Sequence, residues 1–327
     1  MDRIRWGIAG PGNIANKFAQ AVKNVDCACL SAVASRSYDK AKEFADKYSI
    51  ENIFSSYEEM AASDKIDAVY ISTIHPFHKP CAELFLNGGK HVLCEKPICI
   101  NVNQIKALKE CAEKNNKFIM EAMWTRFLPA IKETKAMIEQ GVIGKVIAVE
   151  ADFCYRETPE SCPILFDNKI AGGALLDVGI YPLNLVSYLL GNNPQEITAT
   201  SYIENAVDIH TQMTFKYGDG IISSLSCAIG VQKPETAFIY GTDGYIMLPA
   251  FYGANEILVY KDGEEKHIDM PFLGNGFEEE IYEACNCIKK GKLQSDVMPL
   301  SESMAVLNQM DIIRKQIGIS YPLEGEK

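Results

Sequence analysis

A chain of 327 residues, 47% hydrophobic and 23% charged, is long enough for two domains and too apolar to stay disordered. Its formal net charge of -11 lacks the basic surplus by which a nucleic-acid binder is known, and suits an ordinary soluble surface. The 11 cysteines are odd in number and hold no C-x-x-C pair, and the C-x-C pairs Cys27/Cys29 and Cys285/Cys287 have no histidine partners, which argues against a disulfide framework or zinc site and for a reducing, cytoplasmic setting.

The N-terminus leads straight into a strand, Arg3 to Ala9, without the charged and apolar regions of a signal peptide. Gly10-Pro11-Gly12-Asn13-Ile14-Ala15 follows as G-x-G-x-x-A, a tight glycine turn between a strand and a helix start. Such a turn holds the pyrophosphate of a dinucleotide. Gly10 permits the turn, Gly12 lets backbone N–H groups around Asn13 and Ile14 reach phosphate, and Ala15 lets the helix pack close to its strand. Alone, the motif also fits a glycine-rich turn with no ligand. A helix over Ile14–Val22, a buried strand over Cys29–Ser35, a helix over Tyr38–Tyr48 and a short strand over Asn52–Phe54 come next. Ser55-Ser56 with Glu58-Glu59 marks a capped helix start. Strands at Ala68–Ile74, His91–Cys94 and Phe118–Ala122 then alternate with helices at Phe77–Asn87 and Val102–Lys114. Repeated βα units of this length predict an α/β fold, a doubly wound parallel Rossmann sheet over residues 1–122, with its ligand crevice at the strand C-termini.

Those strand ends carry the candidate residues. After the second strand stand Ser35-Arg36-Ser37, where a NAD-binding fold places an acid on the ribose hydroxyls. An arginine between two hydroxyls can pair with a 2′-phosphate, so NADP is favoured, with NAD as the alternative. Arg36 could instead cap the sheet edge or pair with Asp39. Thr73, His75 and His78 follow the fourth strand. No third ligand accompanies the two histidines, so they are read as lining the cofactor crevice and no metal is expected. Glu95-Lys96-Pro97 follows the fifth strand, and Lys96 is a candidate electrophile or proton relay, against the plainer reading of a surface lysine in a loop.

After Ala122 the pattern changes, and residues 123–327 read as a second, α+β domain for substrate binding and oligomerisation, whose last helix could pack back on the first domain. A helix over Pro129–Gln140, a strand over Lys145–Phe153 and an irregular stretch over Cys154–Ile170 lead to an apolar helix over Val178–Leu190. No apolar run approaches the roughly 18 residues that span a bilayer. From Glu196 to Asp269 alternating strands are joined by turns such as Gly218-Asp219-Gly220 and Asp262-Gly263, a large, mostly antiparallel open sheet. Helices over Gly276–Lys290 and Pro299–Ile317 end the chain. A wide open sheet with few helices after it suggests a homodimer or higher homo-oligomer formed through the sheet face, against a face that stays solvated. Asp177 and Tyr181, four residues apart at the apolar helix, share one helix face. They are either site residues or a helix-start charge and a core ring.

Together, G-x-G-x-x-A, T-x-H-x-x-H (Thr73 to His78), Glu95-Lys96-Pro97 and Glu121-Ala122-Met123-Trp124-Thr125-Arg126-Phe127 resemble the Gfo/Idh/MocA oxidoreductases over nearly the whole chain. His75, where many of the wider family carry Asn, and Tyr181, where many carry His, are similar to the branch of dimeric dihydrodiol and NADP-dependent xylose dehydrogenases. The resemblance implies that Lys96, Asp177 and Tyr181 meet at the nicotinamide, with Arg126 near the cofactor and Trp124 and Phe153 facing a sugar ring or an aromatic diol. Phe153 could equally be core. A free tyrosine, with a pKa of about 10, is a poor base at neutral pH, and a nearby ammonium lowers that value. Tyr181 is therefore expected as general acid/base, Lys96 as its tuning cation and Asp177 as a positioning group. The expected activity is hydride transfer between NADP(H) and a CH–OH group of a sugar, polyol or trans-dihydrodiol. A non-catalytic NAD(P)-binding sensor or regulator is the alternative.

Overall fold

The structure, a computed structural model, describes residues 3–325, so Met1 and Asp2 of the expected first domain lie outside the described residues, as do Glu326 and Lys327. Two compact units divide the chain: Met1–Trp124 with Leu273–Met304, and Thr125–Phe272 with Ala305–Lys327.

In the first unit, β1 (Ile4–Ala9), α1 (Asn13–Val22), β2 (Ala28–Ala34), α2 (Tyr38–Tyr48), β3 (Asn52–Phe54), α3 (Tyr57–Ala62), β4 (Ala68–Ile71), α4 (His78–Asn87), β5 (His91–Glu95), α5 (Val102–Asn115) and β6 (Ile119–Ala122) alternate as expected. The sheet order is β3-β2-β1-β4-β5-β6, all pairs parallel. Every residue of β4 and β6 is buried, as strands covered on both faces must be. Phe18 of α1 stacks on Tyr70 of β4 with ring centroids 3.9 Å apart, and Trp6 meets Phe18 edge-on, which seats α1 on the sheet. The strand order reverses between β1 and β4, the switch point where such sheets open a crevice. β4 ends at Ile71, three residues short of the expected Ile74. Ser72, just past the strand, still donates its N–H to Ala9 O of β1, and its hydroxyl donates to Gly10 O.

In the second unit, α6 (Pro129–Glu139), β7 (Val146–Cys154), α7 (Ile180–Leu190) and β8 (Glu196–Glu204) to β9 (Val207–Lys216) precede β10 (Ile222–Ala228), β11 (Ala237–Gly241), β12 (Gly244–Leu248), β13 (Glu256–Lys261) and β14 (Glu264–Asp269). The sheet order is β14-β13-β12-β11-β7-β10-β9-β8. Only β7 and β10 pair in parallel; the other neighbours are antiparallel. Along β9, Ile209, Thr211, Met213 and Phe215 are buried while Gln212, Thr214 and Lys216 are exposed, so one face carries the core and the other does not. That other face bears an aromatic ladder: Phe238, Tyr240, Tyr245 and Tyr260 lie across β11 to β13 with successive centroids 5.8, 5.8 and 4.4 Å apart. α8 (Glu278–Lys289), in the first unit, and α9 (Leu300–Ile317) complete the α-helices among the described residues.

Asn168–Leu190, 23 residues, is long and apolar enough to cross a membrane by length and composition. Polar residues interrupt its apolar runs without making it polar overall, and 78% of its most apolar window is buried in the protein, as in a core helix.

Candidate active site

In the first unit the candidate residues lie along the C-terminal edge of the parallel sheet. Gly10 has φ +91°, and a Cβ there would sit 3.2 Å from the Ser72 carbonyl oxygen and the Thr73 methyl, so glycine is required by both conformation and space. Gly12 is different: it has φ -92°, and a Cβ on it would meet nothing within 4 Å. It precedes α1, whose first turn has neither a side-chain cap nor an acidic residue. Uncapped N–H groups of Asn13 and Ile14 beside an open space are what a pyrophosphate needs. At the end of β2, Ser35 is buried and its hydroxyl accepts the Ser37 N–H. Arg36 is exposed, with its guanidinium 5.6 Å from the Phe77 ring centroid, and among the described residues no ion pair joins it to Asp39.

The loop carrying Lys96 is fixed on both sides. Tyr70 donates to the Glu95 carboxylate, which also accepts the Lys96 N–H at 3.1 Å. Burial raises the Glu95 carboxyl above the usual carboxylate range. The Lys96–Pro97 peptide is cis. The fully buried His78 places Nδ1 2.8 Å from the Pro97 carbonyl oxygen and Nε2 2.8 Å from that of Thr73, so one ring sits between the end of β4 and the end of β5 and, when neutral, donates to one of the two carbonyls. Burial lowers the His78 pKa. His75 lies edge-on to it at 5.9 Å. Glu121 of β6 accepts the Ile98 N–H at 2.9 Å. Trp124 is 8% exposed and stacks on Phe277, with centroids 5.1 Å apart.

In the second unit, Leu175–Gly179 forms a π-helical turn that runs into α7. Asp177 is its third residue and Tyr181 the second of α7. A wide turn at this point is a frequent mark of a functional segment. Tyr155, just past β7, donates to Asp177 Oδ2 at 2.6 Å. Burial, and then the charge of Asp177, push the Tyr155 hydroxyl far above its ordinary value, so it is a donor and not a base. Phe153 meets Tyr181 edge-on at 5.0 Å and stacks on Tyr252 at 4.3 Å, and Tyr252 stands 6.1 Å from Tyr181. The Tyr252 carbonyl accepts the Thr125 hydroxyl. Arg126 is buried in the same unit, donating to Ser187 at 3.3 Å and lying 5.1 Å from the Tyr188 ring.

The family model for the oxidoreductase family with NAD-binding Rossmann fold, GFO/IDH/MocA, matches residues 4–123, and that for the GFO/IDH/MocA C-terminal domain matches residues 131–247. The chain is 35% identical to trans-1,2-dihydrobenzene-1,2-diol dehydrogenase of Mus musculus, covering 98% of each, and 34% identical to that of Homo sapiens, again covering 98% of each. The chain belongs to the Gfo/Idh/MocA oxidoreductase family. Solved structures share the fold at lower identity. The 3-ketoreductase KijD10 of Actinomadura kijaniata, in complex with NADP and TDP-benzene, has a TM-score of 0.89 at 23% identity over 97% of this chain and 98% of that one. The aldose-aldose oxidoreductase of Caulobacter crescentus has a TM-score of 0.88 at 21% identity, over 96% and 97%.

This Gfo/Idh/MocA chain is thus an NAD(P)-dependent oxidoreductase. Within its first unit the glycine turn, Thr73, His78, Glu95 and Lys96 form one connected edge. Within its second, Phe153, Asp177 and Tyr181 are joined through Tyr155 and Tyr252. From the sequence, substrate specificity is expected to depend on the loops over Cys154–Ile170 and around Phe251-Tyr252, but spacing singles out neither Tyr155 nor Tyr252 within them. The one signal for Tyr155 was its two-residue offset from Phe153, the alternation of a strand continuing beyond its assigned end.

Proposed function

We propose that this oxidoreductase uses NADP(H) and acts on a CH–OH group of a small cyclic diol, sugar or polyol. The observation that carries the cofactor reading is the pair of glycines: Gly10 answers to the protein's own packing, whereas Gly12 answers to nothing in the protein and leaves room for phosphate. Ser35, Arg36 and Ser37 offer a cation and hydroxyls where an acid would repel a 2′-phosphate. The NADP complexes of the 3-ketoreductase support the same choice.

For the chemistry, the bound nicotinamide supplies the hydride acceptor or donor at its C4. Tyr181 exchanges the proton of the reacting hydroxyl, and the Lys96 ammonium favours the tyrosinate form that accepts it. Asp177, held by Tyr155, accepts a hydrogen bond from a substrate hydroxyl. Phe153 and Tyr252 offer an apolar wall to a ring face. The names of relatives 34% and 35% identical favour a trans-dihydrodiol, and those walls suit one. Trp124, His75 and Arg126 complete the proposed binding set. Eleven free thiols support a cytoplasmic location, and the aromatic ladder on the open sheet face supports a homo-oligomer formed through it.

The test is NADPH fluorescence during incubation with trans-dihydrodiols, pentoses, hexoses and inositols. Turnover on one class, tighter binding of NADP than NAD, and a loss of about 100-fold or more in kcat for Tyr181→Phe are expected. Cofactor binding with no turnover across the panel would instead mark a sensor, and tighter NAD binding would overturn the role of Arg36.

A further inference from the structure

Asp208, the second residue of β9, is wholly buried. Its Oδ2 accepts the Leu175 N–H at 2.7 Å and the Thr211 hydroxyl at 3.2 Å, while Oδ1 has no hydrogen-bond partner. Leu175 opens the π-helical turn, so this carboxyl takes one of the N–H groups that a helix start leaves without an intrahelical partner. Gly173, two residues earlier, has φ +130°, and a Cβ on it would lie 2.1 Å from Asp208 Oδ1. The missing side chain at Gly173 is what lets the carboxyl close on the turn. A buried carboxyl with an orphan oxygen is costly unless it does something no apolar residue can do. Both Asp177 and Tyr181 stand on the turn and helix that Leu175 opens, no more than six residues beyond it.

We propose that Asp208 is a positioning residue of the oxidoreductase, holding the turn that presents Asp177 and Tyr181 through the Leu175 amide and the contact with Gly173. The inference rests on Tyr181 being the acid/base. Asp208 acts as an acceptor and not through its charge. The titratable and charged groups that influence it are Cys227 on β10, Arg314 on α9 and Tyr321 near the C-terminus. A proton on the unpartnered Oδ1 leaves Oδ2 accepting from Leu175, and asparagine can present an oxygen in the same place.

The experiment compares Asp208→Ala, Asp208→Asn, Thr211→Val and Tyr181→Phe in the full chain, with NADP affinity by fluorescence and Tm recorded for each. Asp208→Ala should lower kcat about 10- to 100-fold, with KM and NADP affinity within about twofold of wild type. Asp208→Asn should restore kcat to within about threefold, because the acceptor returns and the charge does not. If Asp208→Ala does not fold, Thr211→Val, which removes one donor to Oδ2, reads the same axis through an expected fall of about two- to fivefold in kcat. Wild-type kcat in both Asp208→Ala and Thr211→Val overturns the proposal, as does a loss in Asp208→Ala that Asn leaves unrepaired. Near-normal turnover of Tyr181→Phe sinks the acid/base reading instead, whichever way Asp208 behaves.

Discussion

Asp177 accepts a hydrogen bond from Tyr155 at 2.6 Å, and that bond decides what each group does near neutrality. The phenol keeps its proton and fixes one lone pair of the carboxylate. Tyr155→Phe should therefore leave the fold intact, within about 1 kcal/mol, and lower kcat/KM about tenfold; steady-state kinetics with a productive substrate check it, and an unchanged kcat/KM would remove Tyr155 from the site. Asp208 carries a prediction about pH. Burial raises its carboxyl to about 7, above the unfolded value of about 3.9, so the folded chain holds this proton more tightly than the unfolded one. The stabilisation is full below about pH 4 and is lost as pH rises through 7, by up to about 3 kcal/mol between pH 5 and 8. Asp208→Asn has no such proton to lose. Urea midpoints of wild type and variant should diverge as pH rises, and parallel curves would contradict the shift. Lys96, Asp177 and Tyr181 could be singled out in the sequence because motif spacing names them. Tyr155 and Asp208 could not, because their partners are 22 and 33 residues away and reach them only through the fold.

At the scale of elements, the two glycines before α1 separate ligand demands from packing demands. Gly12→Ala should cost little stability, since φ -92° admits alanine and its Cβ has open space, yet should weaken NADP binding at least about tenfold by occupying that space. Gly10→Ala should destabilise the protein by more than about 1 kcal/mol, through φ +91° and the Ser72 and Thr73 contacts. Thermal melts and fluorescence titrations of both variants check this, and equal effects on binding and melting in the two would refute it. The βα alternation was readable because each strand is a short apolar run and each helix repeats its apolar face. The start of α7 was not. The sequence has no sign of a π turn there, since the turn depends on a carboxyl from β9 and on the room left at Gly173.

For the whole molecule, the relevant surface is the outer face of the eight-stranded sheet. Phe238, Tyr240, Tyr245 and Tyr260 are half-buried there, with Phe238 stacked on Tyr240, Tyr245 stacked on Tyr260 and Tyr240 tilted against Tyr245, an aromatic strip of the kind that interfaces between copies use. On the proposal that copies pair through this strip, Tyr245→Asp, in its middle, should lower the molecular mass seen in light scattering at micromolar concentration while leaving NADP affinity within about twofold. A variant with the oligomeric state of wild type would exclude the strip as the interface. A large mostly antiparallel sheet was legible from alternation and turn residues. A return of the last helix to the first domain was expected, but it is Leu273–Met304, with α8, that groups with the first unit, while most of α9 groups with the second.

The parallel pair inside that sheet has a consequence for synthesis. β7 is complete at Cys154, but its neighbours are β10, which begins at Ile222, and β11, which begins at Ala237. β8 and β9 form a local hairpin in the interval, and β10 can join β9 as soon as it is made. At about 5–20 residues per second, β7 waits roughly 3 to 15 s on a ribosome-bound chain with both backbone edges unpaired. The strand at the centre of the finished sheet is the first of the eight to be synthesised, and it must stay unpaired until strands made after it arrive.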